Sequence, residues 1–145
     1  MEEFVIERMN DDAIIPTKAY ETDAGFDLYL SEDLVIWPLE GELGKTGIKI
    51  SLKSGYEAQI RPRSGFSIKN KILIINSPGT IDPEYRGEIM IALYNLSNVR
   101  RIFKKGTKIA QMIINKIPNV KLIEGKVDSN TDRGLKGFGS TGDNI

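Results

Sequence analysis

Gly47-Ile-Lys-Ile-Ser-Leu-Lys-Ser-Gly-Tyr-Glu-Ala-Gln-Ile60 decides the class of fold. From Lys49 to Lys53 polar and apolar residues alternate, the period of two that belongs to a strand with one wet face. Tyr56 to Ile60 reads as the next strand, and Ser54-Gly55 between the two are turn formers. The same texture continues in both directions. Runs rich in Ile, Val, Leu and Tyr recur at residues 4–6, 26–30, 34–37, 72–75, 89–93, 108–114 and 120–123, separated by Gly, Pro, Asn, Asp and Ser. Short strands at that spacing predict an all-β sandwich or barrel. No window of helical length carries a 3.6-residue apolar period. One short helix is expected over residues 64–69, after the break at Pro62, with Ser64 as its N-cap.

At 145 residues one domain with a real core is the default. The 20 basic and 20 acidic side chains cancel, so there is no broad electrostatic footprint for nucleic acid or an anionic membrane. Phosphate recognition therefore has to be local. The chain has no cysteine and no histidine. That excludes disulfides, thiolate nucleophiles, imidazole-dependent triads and the usual zinc sites. A general base is then a carboxylate, or a lysine or tyrosine with a shifted pKa. The N-terminus lacks a basic segment followed by a long apolar one, and the longest apolar runs are too short to span a bilayer as helices. The expectation is a cytoplasmic-type soluble protein.

The composition changes near Asp128, which divides the chain into a β body over residues 1–127 and an arm over 128–145. The arm contains Arg133-Gly-Leu-Lys-Gly-Phe-Gly-Ser-Thr-Gly142, with four glycines in ten residues. It is too poor in apolar residues to order itself. One reading is a plain disordered terminus. The other is a lid that orders on a nucleotide: glycines let N–H groups face an anion, Arg133 suits phosphate, and Phe138 offers a flat face for a base.

Two further segments carry chemistry. In Arg61-Pro-Arg63-Ser64-Gly65-Phe66 a strand runs into an arginine and a helix start. This is either an anion pocket or a surface arginine beside a cap. Asn76-Ser-Pro-Gly79-Thr80-Ile81-Asp82-Pro-Glu-Tyr85-Arg-Gly-Glu88 lies between two apolar runs and reads as a hairpin full of turn residues. Singly, Asp82 is a turn aspartate and Tyr85 a rim aromatic. Together, an amide at Asn76, a ring at Tyr85 and a carboxylate at Asp82 suggest a nucleoside pocket with a water-activating base. Gln111 is polar inside an apolar run, so it is either paired in the sheet or aimed at a ligand. Asp27, among apolar neighbours, could tie down an arginine or a water. Neither a Walker A nor a Rossmann fingerprint is present.

In order, Ala24-Gly-Phe-Asp-Leu, Pro62-Arg-Ser-Gly, Gly79-Thr-Ile-Asp-Pro-Glu-Tyr-Arg-Gly-Glu, Lys108-Ile-Ala-Gln and the arm from Arg133 to Gly142 resemble the five motifs of the trimeric dUTP diphosphatase (dUTPase) family. The resemblance implies a jelly-roll-like distorted β-barrel that forms a homotrimer. Its active sites lie between subunits, each closed by the arm of another chain. The implied reaction is Mg2+-dependent hydrolysis of dUTP to dUMP and diphosphate, which limits uracil in DNA and supplies dUMP for thymidylate synthesis. Asp82 is then the base for the attacking water. Asn76, Gly79, Thr80, Ile81 and Met90 read uracil, and Tyr85 lies against the deoxyribose. Arg63, Ser64, Gly65 and Gln111 hold phosphates, joined by Arg133, Gly139, Ser140 and Thr141 from the arm, with Phe138 on the base. Mg2+ is expected on the substrate's phosphates, with Asp27 supporting its water shell or a neighbouring arginine. Met90 stands where many members carry a lysine or another residue. Two rivals compete with this reading. A dCTP deaminase shares the fold, and a non-catalytic trimer could bind dUTP and signal; the intact hairpin and Asp82 weigh against both.

Overall fold

The computed structural model describes residues 1–140 and Gly142. Its strands are β1 (Val5–Arg8), β2 (Phe26–Tyr29), β3 (Leu34–Ile36), β4 (Gly41–Lys45), β5 (Ile48–Ser51), β6 (Tyr56–Arg61), β7 (Ile72–Ile74), β8 (Gly79–Ile81), β9 (Met90–Asn95), β10 (Arg101–Phe103) and β11 (Lys108–Lys116), with one helix, α1 (Ser64–Asn70). All paired strands are antiparallel. One sheet has the order β2-β11-β6-β8 and another β4-β9-β7, and two ribbons, β1-β5 and β10-β3, complete the barrel.

The alternation read from the sequence is what closes the barrel. In β6, Ala58 and Ile60 are buried while Glu57, Gln59 and Arg61 stay half-buried on the opposite face. In β9, Ile91, Leu93 and Asn95 point inward. They meet Leu28, Leu30, Ile36, Ile48, Ile72, Ile109 and Met112 in a single core. Asn95 is tolerated there because its amide is satisfied. It donates to the carbonyls of Ile36 and Val99 and accepts from Ser97.

Four expectations are corrected. Residues 120–123 form no strand: β11 ends at Lys116, and Val120, Leu122 and Ile123 stand 71%, 94% and 80% exposed. The run has strand propensity, but among the described residues no strand pairs with it. Strands β4, β8 and β10 form where none was expected, because glycines or basic residues break their apolar pattern. Ser64 is the first helical residue rather than the cap. Arg63 holds the N-cap position in extended backbone, without a side-chain capping bond. Residues 76–88 are not a simple hairpin, since β7 pairs directly with β9 while β8 crosses over to pair with β6. The segment bridges two sheets, and the site lies in that bridge. Among the described residues no helix is long and apolar enough to cross a membrane.

Candidate active site

Where β8 leaves one sheet for the other it opens a cavity of about 290 Å³. Ile60 of β6, Ile74 of β7, Gly79 to Ile81 of β8, Met90 to Ala92 of β9 and Leu43 of β4 line it, and Asn76, Asp82, Tyr85 and Glu88 add polar groups. Residues from five strands thus converge because one short strand changes sheets. β8 is an edge strand, paired only with β6, so its outer backbone row is free to meet a planar polar ligand. Gly79 has to be small: a Cβ there would stand 3.2 Å from Ile60 Cβ and 3.4 Å from the Asn76 amide nitrogen.

The loop beyond β8 is folded on itself. The Tyr85 N–H donates to the Asp82 carbonyl at 3.1 Å, and the Tyr85 hydroxyl donates to the Glu88 carbonyl at 2.8 Å. The phenol occupies the space that a side chain at residue 87 would need, since a Cβ on Gly87 would lie 2.5 Å from Tyr85 Oη. The ring is therefore held at the cavity mouth although it is 44% exposed.

A second cluster forms where β2 meets β11. Asp27 and Gln111 face each other across the ladder. Asp27 accepts from Arg63 Nε at 3.0 Å and pairs with Lys108 Nζ at 3.0 Å. Arg63 also donates to the Lys108 carbonyl at 3.2 Å. Asp27 thus ties down a neighbouring arginine, one of the roles foreseen for it. The hydrogen bond to Asp27, followed by its charge, raises the Lys108 ammonium above the ordinary lysine value. Gln111 donates to the Pro62 carbonyl at 2.8 Å, which ties β11 to the turn before α1. It needs Gly25 opposite, because a Cβ there would approach Gln111 Oε1 to 2.4 Å. Ser64 and Gly65 are exposed beside this cluster.

The structure therefore brings the predicted residues into two groups. Asn76, Gly79, Thr80, Ile81, Asp82, Tyr85 and Met90 share the cavity; Arg63, Ser64, Gly65 and Gln111 do not line it. Nor do Arg133, Phe138, Gly139 or Ser140. Phe138 is fully exposed with a positive φ of 50°, and Arg133 Nε donates to the Lys136 carbonyl at 2.9 Å. Thr141 lies outside the described residues. Sequence reasoning missed Lys108 and Glu88, although both stand within motifs it quoted. Among the described residues no three acidic side chains cluster to hold a metal, and Asp27 is already engaged by two cations.

Fold and site together define an all-β enzyme with a carboxylate at the mouth of a small-molecule pocket. The dUTPase family model matches residues 11–142, and the chain belongs to the dUTPase family. It is 48% identical over 140 residues to the deoxyuridine 5'-triphosphate nucleotidohydrolase of Clostridium kluyveri, covering 97% of this chain and 98% of that one. The Staphylococcus bacteriophage 80alpha dUTPase with dUpNHpp superposes with a TM-score of 0.83 at 29% identity, covering 98% of this chain and 99% of that one. A variant dUTPase of phage phi11 of S. aureus, described for its coordination of a structural Mg(II) ion, gives a TM-score of 0.76 at 26% identity, covering 86% and 98%.

Proposed function

We propose that the chain hydrolyses dUTP to dUMP and diphosphate. One observation carries the reading: Asn76, Asp82 and Tyr85 meet in one cavity, against the free backbone edge of β8. An edge strand's N–H and C=O groups suit the alternating donors and acceptors of uracil, and a cavity of about 290 Å³ suits a single ring with its sugar. Asn76 and residues 79–81 read the base, with Met90 lining the same pocket. The fixed Tyr85 ring lies against the deoxyribose and leaves no space for a 2′-hydroxyl.

Asp82 orients a water and takes its proton as the oxygen attacks the α-phosphorus. The bond from that phosphorus to the β-phosphate oxygen breaks in line, and diphosphate leaves. Base catalysis of this kind supplies about 10²–10⁴-fold. The remainder comes from positioning and charge neutralisation by Mg2+ on the triphosphate and by Arg63 and Arg133. Ser64, Gly65 and Gln111 complete the phosphate contacts, with Gly139, Ser140 and Thr141 from the arm.

We place the working site between subunits of a homotrimer. Two features support this. The phosphate-side cluster does not share the cavity of its own chain. Val120, Leu122, Ile123 and Val127 stand exposed, so the segment that carries them presents apolar side chains for another chain to cover. Residues 128–145 of another chain then close the site, with Phe138 on the base. A cytoplasmic setting and the supply of dUMP for thymidylate belong to the same proposal.

The test is diphosphate release from dUTP, UTP, dTTP and dCTP with Mg2+. Cleavage of dUTP far above the others is expected, with solvent oxygen appearing in dUMP. Equal cleavage of UTP, or ammonia from dCTP, contradicts the reading.

A further inference from the structure

We infer that Thr46 and Glu88 are positioning residues that hold Tyr85 in its sugar-discriminating pose; the inference rests on the function proposed above. Thr46 lies outside all five motif segments, in the turn between β4 and β5, and is 1% exposed. Its hydroxyl donates to the Ile89 carbonyl and accepts from the Ile48 N–H at 3.4 Å. The next residue, Gly47, donates its N–H to Glu88 Oε2 at 3.0 Å, and the Ile89 N–H donates to the Ile48 carbonyl at 2.9 Å. The turn is thus laced to residues 88 and 89 by bonds from both sides. Gly47 adopts a φ of +66°, and a Cβ there would stand 2.9 Å from Ala13 Cβ, so the turn has room only for glycine at this point.

The consequence lies one bond further on. The Glu88 carbonyl accepts the Tyr85 hydroxyl, while the Glu88 carboxylate accepts from Gly47. Pairing of β8 with β6 holds the near end of the Asp82–Tyr85 loop, and the Thr46–Gly47 turn holds the far end. Tyr85 is half in solvent and makes no other side-chain hydrogen bond among the described residues, so its pose is only as fixed as residue 88. Discrimination by shape needs a wall that does not yield, and displacements of about 1 Å cost up to ~10²-fold in such sites. Glu88 lines the cavity, yet its role here is to accept a bond rather than to carry charge.

Four variants test this: Thr46→Val, Thr46→Ser, Glu88→Ala and Glu88→Gln. The readout is kcat/KM for dUTP and for UTP, with melting temperature alongside. Thr46→Val and Glu88→Ala are expected to lower the dUTP/UTP ratio about tenfold, chiefly through KM for dUTP. Thr46→Ser and Glu88→Gln keep the acceptor or donor and are expected to restore the ratio. An unchanged ratio in Thr46→Val and Glu88→Ala, whatever the melting temperature, overturns the inference and leaves a purely structural brace. If Thr46→Val does not fold, the Glu88 pair decides alone. A wild type that does not prefer dUTP overturns the proposed function itself, which separates the two failures.

Discussion

Asp27 shows how much a single carboxylate can hide from a reader of the sequence. Its neighbours along the chain are apolar, yet its two oxygens meet Arg63 and Lys108 from distant segments. The pairing supplies the charged face beside Gln111 and fixes the guanidinium proposed to hold phosphate. Because the fold favours the protonated Lys108, this contribution is complete below the ordinary lysine value. It fades only as pH climbs through the raised one. In an NMR titration of the lysine side chains, Lys108 is expected to titrate above the ordinary lysine value, and Asp27→Asn should bring its midpoint down. An unmoved midpoint contradicts the pairing. Asn76, Asp82 and Tyr85 were legible because they fall in one short segment of unusual chemistry. Thr46 was not, because a threonine in a turn looks like any other until its buried hydroxyl is seen to serve a carbonyl on another strand.

At the scale of elements, alternation identified most of the barrel strands, and the failures have physical causes. Gly41-Glu-Leu-Gly-Lys45 has too few side chains to show a pattern, yet β4 pairs along its whole length with β9. Gly44 is small because the core needs the space: a Cβ there would meet Ile109 Cδ1 at 3.0 Å, Leu30 Cδ2 at 3.2 Å and Leu93 Cδ1 at 3.3 Å. Gly44→Val is expected to destabilise the fold by about 1–3 kcal/mol through overpacking. Urea unfolding checks this, and an unchanged midpoint contradicts the packing described. Residues 120–123 failed the opposite way, with a strand-like pattern and no partner strand among the described residues. β8 was hidden inside a segment whose Pro, Gly and Asp content reads as pure turn, so the crossing that builds the cavity could not be seen before the pairing with β6.

The whole molecule presents a distorted β-barrel with two chemical faces and an exposed tail. In one chain the cavity and the cluster of Asp27, Arg63 and Lys108 are separate, so the proposed site needs copies that complete one another. Deleting residues 132–145 is expected to leave a folded trimer that cleaves dUTP poorly, since the arm is proposed to contact phosphate and base and its described apolar side chains, Leu135 and Phe138, are exposed. Sedimentation and steady-state kinetics check the two halves of that statement. Full turnover in the truncation removes the arm from the site. The balanced net charge fits a protein that handles its anionic substrate through local groups rather than a field.

The proposed role of Asp82 is to activate the water that cleaves dUTP. Its most direct test is diphosphate release by wild type and Asp82→Asn, with dUTP binding measured in parallel. The account predicts rapid, dUTP-selective release by the wild type and a fall of about 10²-fold or more in the variant, with binding and fold retained. Comparable turnover in Asp82→Asn, or tight binding of dUTP without cleavage by the wild type, contradicts it.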